Sequence, residues 1–423
     1  MRKPAWLVAA GIILVALTLR SAVTVVPPLV STMDAQLPMD AATIGLLGML
    51  PTAAFAVFGF LTPYVIRWAS LEWLAVVAMV LATVGQLLRV MVPSTGLFLL
   101  LSVLALAGLG AGNVLLPPLV KKYFPTKVGL MTAIYVTSLS VGTALPAQLA
   151  VPVADAAGWQ VSLAAWAGVT VVAMVPWLGV LATGRGSSAP AGGPAPTAPT
   201  AAQTPAEQAL AVVVHGARTT PAAPGKMNLW RSPVAWGLTF MFGCTSLNTY
   251  AMFAWLPTIL TEAGLDRASA GSMLALFAAL GLPMSLLVPL LAARMANPFP
   301  MVLVMLGCFV AGYLGLLFAP ATATWLWVVL TGLGPGTFPL SLLMINHRTR
   351  THTGAGALSG FSQGMGYALA CAGPLLFGLL HQASGSWGVP FLFLFGTLAL
   401  LCAGAFVICR PRMLEDDFAP AAR

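Results

Sequence analysis

The sequence predicts an all-α integral membrane protein whose twelve transmembrane helices form two pseudo-symmetric six-helix bundles. Hydrophobic residues make up 59% of the 423 residues, and charged residues make up only 7%. A soluble globular domain carries about 25% charged residues, so this composition excludes an ordinary water-soluble enzyme. Apolar runs of membrane-spanning length recur along the chain, and an Ala- and Pro-rich segment separates them into two sets of six.

The positions of the spans follow from the length that a helix needs to cross a bilayer, about 20 mostly apolar residues. Six spans fall in each half of the chain and are numbered 1 to 12 in order: 5–28, 44–66, 71–92, 96–119, 129–151, 160–182, 233–260, 270–291, 299–319, 322–345, 355–380 and 389–409. We therefore expect an N-terminal bundle over 1–183, a linker over 184–230, a C-terminal bundle over 231–410 and a tail over 411–423.

The linker is rich in Ala, Pro, Thr and Gly. A segment of this composition buries too little apolar surface to offset the entropy lost on ordering, so we predict that it is disordered. The acidic run Glu415-Asp416-Asp417 in the tail is expected to be a solvated charge run rather than a site.

The formal net charge of +9 has an explanation that involves no nucleic acid. Most Lys and Arg residues fall on one side of the predicted membrane, together with both termini and the linker, and cytoplasmic loops carry such an excess. The opposite loops hold Arg267 and several acids. We therefore expect a multi-pass protein of the cell membrane with both termini in the cytoplasm.

Catalytic and metal-binding motifs do not emerge from the sequence. The five cysteines lie in apolar runs without CxxC spacing, which predicts neither a disulfide nor a metal site. HExxH and Walker motifs do not occur in it. We therefore expect no cofactor, no catalytic residue and no enzymatic activity.

A weak internal repeat supports two equivalent halves. Gly108-Leu-Gly-Ala-Gly112 in span 4 corresponds to Gly332-Leu-Gly-Pro-Gly336 in span 10. Shifted by the same interval, Gly142 in span 5 corresponds to Gly366 in span 11. Two parallel six-span halves joined by a long linker are typical of transporters whose substrate site lies between the halves, near the membrane midplane.

Arg20 is the principal candidate binding residue, because it lies deep inside span 1, roughly 22 Å from the membrane edge. A central Arg costs about 2.5–3.5 kcal/mol to insert, and none of the ten carboxylates lies deep in a span to neutralise it. A bound anion in a water-filled cavity would do so, since a guanidinium offers a planar fork of donors. Alternatively, Arg20 bonds to backbone carbonyls or extends towards the membrane surface.

Seven further residues are candidates for lining such a cavity. Arg89, near the end of span 3, would add positive charge, although an Arg at that position can also extend to the membrane surface. The other six are polar or aromatic residues within spans: Asn113, Tyr135, Asn248, Tyr250, Gln363 and Tyr367. Gln363 and Tyr367 are four residues apart and share one helix face. For each of the six, a hydrogen bond or packing contact between helices is the alternative role.

A set of short motifs runs through both halves of the chain: Leu19-Arg20, Gly112-Asn113, Ala254-Trp255-Leu256-Pro257, Ser359-Gly360 and Gln363-x-x-Gly366-Tyr367. Together they resemble the cyanate-permease and 2-nitroimidazole-transporter family of the major facilitator superfamily. The resemblance implies the major facilitator fold, a monomer in the lipid bilayer, and alternating-access transport of small anions or small polar organic solutes. It puts five candidates at family motif positions: Arg20, Asn113, Tyr250, Gln363 and Tyr367.

Two other functions remain open at this point. A broad-specificity drug exporter of the same fold would use an aromatic, Met-rich cavity in which Arg20 is only structural. The lack of a carboxylate within the spans weighs against it, because exporters of cationic drugs usually need one. A membrane sensor or enzyme has no supporting motif.

Overall fold

A computed structural model of the chain describes residues 5–65, 68–183 and 228–418. The helices within these residues account for all twelve expected spans, and no strand occurs among them. Residues 184–227, which make up nearly all of the predicted linker, lie outside the described residues.

The spanning helices are labelled α1 to α12 in chain order. In the N-terminal bundle they are α1 (Ala5–Met33), α2 (Ala41–Val65), α3 (Leu71–Arg89), α4 (Thr95–Tyr123), α5 (Val128–Ala157) and α6 (Trp159–Thr183). In the C-terminal bundle they are α7 (Pro233–Glu262), α8 (Arg267–Ala292), α9 (Phe299–Phe318), α10 (Thr324–His347), α11 (His352–Ser384) and α12 (Gly388–Cys409).

Eleven of these helices are long and apolar enough to cross a membrane, and α7 is the twelfth. It is 30 residues long and largely buried, because it packs against α10, α11 and α12 and reaches α2 of the other bundle. Polar residues can therefore occur along α7 without facing lipid. The prediction of an all-α, twelve-helix membrane fold is confirmed.

Side-chain caps define where several helices begin. The capping side chain accepts a hydrogen bond from the backbone N–H three residues ahead at each of these positions: Ser70, Ser94, Ser232, Asp266 and Thr351. Such a cap stabilises a helix by about 1 kcal/mol. The caps of α3, α4, α7, α8 and α11 fix the loops and therefore the register of each span.

Close glycine contacts hold the central helices of both bundles in equivalent positions. In the N-terminal bundle, Gly142 of α5 lies against the backbone of Leu17 in α1. In the C-terminal bundle, Gly366 of α11 lies against Phe242 and Gly243 in α7. The two glycines that the internal repeat aligns therefore perform the same packing role, which confirms the pseudo-symmetry of the bundles.

The two bundles meet tightly at one end of the molecule. We call the end at which α6 ends and α7 begins the linker end, and the opposite end the far end. In the far half, α2 packs on α11 and α5 packs on α8. Gly48 fits between Ala254 and Pro374, and Gln148 of α5 donates a hydrogen bond to Ser272 of α8 over 2.9 Å.

Towards the linker end, the face of α11 between the bundles looks onto open space. A Cβ added to Gly360 would meet no atom within 4 Å. Gln363 and Tyr367 lie three and seven residues further along the same helix face. Among the described residues, the bundles are therefore in contact in the far half and leave this face of α11 open towards the linker end.

Helix α1 is interrupted in the middle of the membrane. Its first segment ends at Thr18, and Arg20 has φ −120° and ψ 1°, outside the helical region. The hydroxyls of Thr18 and Ser21 donate to the carbonyls of Val15 and Thr18, each over 2.8 Å, and so satisfy backbone groups near the break. Interrupted helices in membrane proteins occur where they face a cavity or protein rather than lipid.

The acidic tail differs from the expectation of a solvated charge run. Glu415 accepts hydrogen bonds from the backbone N–H groups of Arg350 and Thr351, each over 3.0 Å. The side chain of Asp417 is only 3% exposed and pairs with Arg412 over 2.6 Å, and it also accepts a hydrogen bond from Ser232. The tail thus docks on the α10–α11 loop and on the start of α7, because unbonded N–H groups there attract carboxylates.

We expect this docking to weaken in acid. Burial alone would raise the pKa of Glu415, but the hydrogen bonds from Arg350 and Thr351 outweigh it and hold the pKa below its usual value. A carboxyl with a lower pKa in the folded state stabilises that state above the unfolded pKa of about 4.3, and loses this effect as the pH falls through the folded pKa. Hydrogen-exchange protection of the Arg350 and Thr351 amides should therefore fall on acidification.

The matched variant for this prediction is Glu415→Gln, which should show low protection of both amides already at neutral pH. Glu262→Gln at the far end is the control and should leave the linker-end amides unchanged. Equal protection in the native protein and Glu415→Gln would contradict the prediction.

Candidate functional site

Arg20 lies at the break in α1, half-buried near the centre of the molecule. Its charge is close enough to the hydroxyls of Tyr250 in α7 and Tyr367 in α11 to act on both. Within the described part of the chain, no carboxylate forms an ion pair with Arg20. Arg20 is therefore a positive charge between the bundles, with two phenol groups nearby and no acid among the described residues paired with it.

The surroundings of this charge include two residues that the sequence did not single out. Thr52 of α2 donates a hydrogen bond to the sulfur of Cys371 in α11 over 3.3 Å. Cys371 follows Tyr367 by four residues, so the helical period could have identified it. Thr52 could not have been identified in this way, because only the packing of α2 on α11 brings it close.

Helix α11 carries a polar stripe with a spacing of four residues, made of Ser359, Gln363, Tyr367 and Cys371. The amide nitrogen of Gln363 donates to the Ser359 hydroxyl over 2.7 Å, which leaves the amide oxygen directed to the same side of the helix. The stripe extends about 18 Å along the helix. It connects the opening at the linker end with the Arg20 region.

Asn113 of α4 is exposed in the structure. It follows Ser102 by eleven residues and Leu106 by seven, so the three share one face of α4. Ser102 and Leu106 line a small cavity between the bundles. Asn113 accordingly lies on the cavity-lining face of its helix, nearer the linker end.

Tyr135 and Asn248 lie apart from the Arg20 region. Tyr135 is buried in the hydrophobic core of the N-terminal bundle. Asn248 is fully buried inside the C-terminal bundle, where its amide nitrogen donates to Cys244 and Thr397 and its oxygen accepts from the Tyr313 hydroxyl over 2.9 Å. Asn248 therefore forms hydrogen bonds between helices, which is the alternative to lining a cavity.

Replacing Asn248 by Ala should therefore affect stability more than ligand affinity. The Tyr313 hydroxyl would lose its buried partner, which costs about 1–3 kcal/mol. We expect a lower melting temperature in detergent with an unchanged KM for the transported solute. Tyr367→Phe is the matched control and should raise the KM while leaving the melting temperature unchanged. A raised KM with unchanged melting in Asn248→Ala would contradict this assignment.

Arg89 lies near the end of a span, but its side chain does not extend to the membrane surface. Its side chain is 1% exposed and turned inward, where one guanidinium nitrogen reaches the carbonyl of Ala22 at 3.5 Å. It lines a cavity of about 30 Å³ together with Ser102 and Tyr250. Tyr250 is therefore near both Arg20 and Arg89, which belong to the N-terminal bundle.

The site has the chemistry of a binding cavity. It offers guanidinium, phenol, amide and hydroxyl groups that can donate hydrogen bonds to an anion or to a polar solute. Within the described residues, no group of three or more His, Cys, Asp or Glu side chains is placed to hold a metal ion. The one carboxylate buried in a span, Glu72, forms a salt bridge with Lys122 at the linker end over 2.7 Å.

The chain is similar to known proteins along most of its length. A sequence model described as Major Facilitator Superfamily matches residues 12–371. The chain is 34% identical to the 2-nitroimidazole transporter of Escherichia coli (strain K12), over 96% of this chain and 95% of that protein. It is 26% identical to the cyanate transport protein CynX of the same organism, over 90% of this chain and 92% of that protein.

The fold is similar to that of solved transporter structures. The nucleoside transporter NupG (D323A mutant) superposes with a TM-score of 0.70, with coverage of 96% of this chain and 100% of that chain, at 12% sequence identity. At such low identity the likeness concerns the fold alone.

Proposed function

The chain belongs to the major facilitator superfamily, and from this premise we propose that it is a secondary active transporter of a small anion or a small polar organic solute. Family members are multi-pass membrane transporters of small molecules. The observation that carries the proposal is the unneutralised charge of Arg20 between the two bundles, beside Tyr250 and Tyr367.

In the proposed site, both bundles contribute binding groups. Arg20 of the N-terminal bundle supplies the charge, and Tyr250 and Tyr367 of the C-terminal bundle supply hydroxyl donors and flat aromatic faces. A guanidinium binds planar anions such as a carboxylate through two parallel hydrogen bonds. The two rings suit a flat solute, so both a cyanate-like anion and a nitroheterocycle with electron-rich oxygens match this chemistry.

Alternating access follows from the binding of one solute by residues of both bundles. A solute held by residues of both bundles stabilises their approach, and the two bundles can rock around it. We propose that the linker end faces the cytoplasm of the cell, because most of the 19 Lys and Arg residues lie on that side. On this assignment the face of α11 that carries Gln363 and Tyr367 is open towards the cytoplasm, and the protein works as a monomer.

Uptake into proteoliposomes tests the proposed substrate class. We expect labelled cyanate or 2-nitroimidazole to accumulate, and each to compete with the other. Tetraphenylphosphonium, a lipophilic cation, should neither enter nor compete, since its charge repels Arg20. Uptake of the cation without uptake of the other two solutes would refute the proposal and favour the drug-exporter alternative.

A further inference from the structure

The small cavity beside Arg89 shares Tyr250 with the Arg20 region. Its walls come from α1, α2, α3, α4 and α7 in the far half of the molecule. We propose that it binds a small monovalent anion between Arg89 and Ser102 as a second stopping point on the transport path. This inference rests on the proposed function and specifies the substrate class as anionic.

The charge of Arg89 has few partners. Among the described residues, Nε and Nη2 of its buried guanidinium have no hydrogen-bond partner, and Nη1 has only the long contact of 3.5 Å to the Ala22 carbonyl. The face of Phe98 lies 5.8 Å from the guanidinium carbon, and the C-terminal end of α3 lends a partial negative charge. Neither replaces two missing hydrogen bonds to a buried cation.

Ser102 contributes a second donor. Its side chain is 1% exposed and lines the same cavity, and its hydroxyl has no hydrogen-bond partner among the described residues. A hydroxyl and a guanidinium both donate to an anion. Two unsatisfied donors on different helices, facing one cavity with no acid among the described lining residues, fit an anion better than a cation or an apolar ligand.

The size and position of the cavity also suit a small ion. The cavity holds about 30 Å³, more than the roughly 10–15 Å³ that one water molecule needs, so an ion of halide size fits. Tyr250 belongs both to this cavity and to the Arg20 region. An anion released from Arg20 towards the far end would therefore pass Tyr250 and meet Arg89 next.

Bromide is the probe for this site, because its anomalous X-ray scattering distinguishes it from water. Crystals of the full chain soaked in sodium bromide are expected to show an anomalous peak between Arg89 and Ser102. The peak should be absent in Arg89→Gln, retained in Arg89→Lys and at least several-fold weaker in Ser102→Ala. Ser102→Ala removes a single oxygen, so it tests the site even if Arg89→Gln does not fold.

Arg20→Gln separates this inference from the proposed function. In that variant the Arg89 peak should persist. A native cavity that holds only water, or a peak that survives in Arg89→Gln, would overturn the second site while leaving the Arg20 proposal intact. A peak at Arg89 together with unchanged solute uptake by Arg20→Gln would support the second site and refute the role of Arg20.

Discussion

Anion uptake by the Arg20→Gln variant is expected to fall by roughly 10- to 100-fold. The change removes the positive charge but keeps hydrogen-bonding capacity and most of the side-chain length. A hydrogen bond to a charged group contributes about 1.5–3 kcal/mol, and each 1.4 kcal/mol is about a tenfold change in affinity. We expect the loss mainly as a higher KM in proteoliposomes, because the charge binds the solute before transport.

Two variants bracket this result. Arg20→Lys keeps the charge but replaces the planar fork of donors by a single ammonium group, so its uptake should lie between that of the native protein and Arg20→Gln. Arg231→Gln removes an exposed charge at the linker end and should leave uptake unchanged. Full anion uptake by both Arg20 variants would mean that the charge has no part in binding.

The second large effect is expected on stability, from Gly142→Ala. An added Cβ would lie closer than 3.0 Å to the Leu17 carbonyl group, which is backbone and cannot rotate away. Overpacking of this kind costs about 1–3 kcal/mol and occasionally more. We expect the melting temperature of the purified protein to fall by several degrees, together with a loss of uptake, because Leu17 lies just before the break that positions Arg20.

Gly168→Ala provides the matched control for Gly142→Ala. Gly168 lies inside α6, and a Cβ there would meet no atom within 4 Å. The same substitution should therefore leave stability unchanged or raise it by about 0.5–1 kcal/mol, the usual gain from Gly to Ala within a helix. Equal melting of the two variants would show that the α1–α5 contact is looser than the structure has it.

The fold could be predicted from the sequence because each span satisfies a local rule of length and polarity. Helix α7 satisfies this rule less well than the other spans. It is not among the eleven helices that are apolar enough to cross a membrane, because its burial by other helices allows polar residues along it. The docked tail was not predictable, because its partners Arg350 and Ser232 are distant in sequence from Glu415 and Asp417.

The candidate site was predictable in part. Arg20 is visible in the sequence as a charge without a local partner, and the spacing of Gln363 and Tyr367 indicates a shared helix face. The sequence does not reveal that Asn248 bonds within its own bundle while Tyr250, two residues later, lies near Arg20. Both are polar residues of one helix, and only tertiary packing decides which side each of them faces.

The contacts between the bundles in the far half have a consequence for energetics. They consist largely of small residues such as Gly48, Gly271 and Gly378 placed against neighbouring backbone and side chains, and the ion pair between Arg267 and Asp155 is exposed. Dispersion contacts of this kind are individually weak, and exposed ion pairs contribute little. Parting the bundles there would break many weak contacts and the hydrogen bonds from Gln148 to Ser272 and from Arg267 to Thr32, and a ligand that prefers one conformer changes the populations of both.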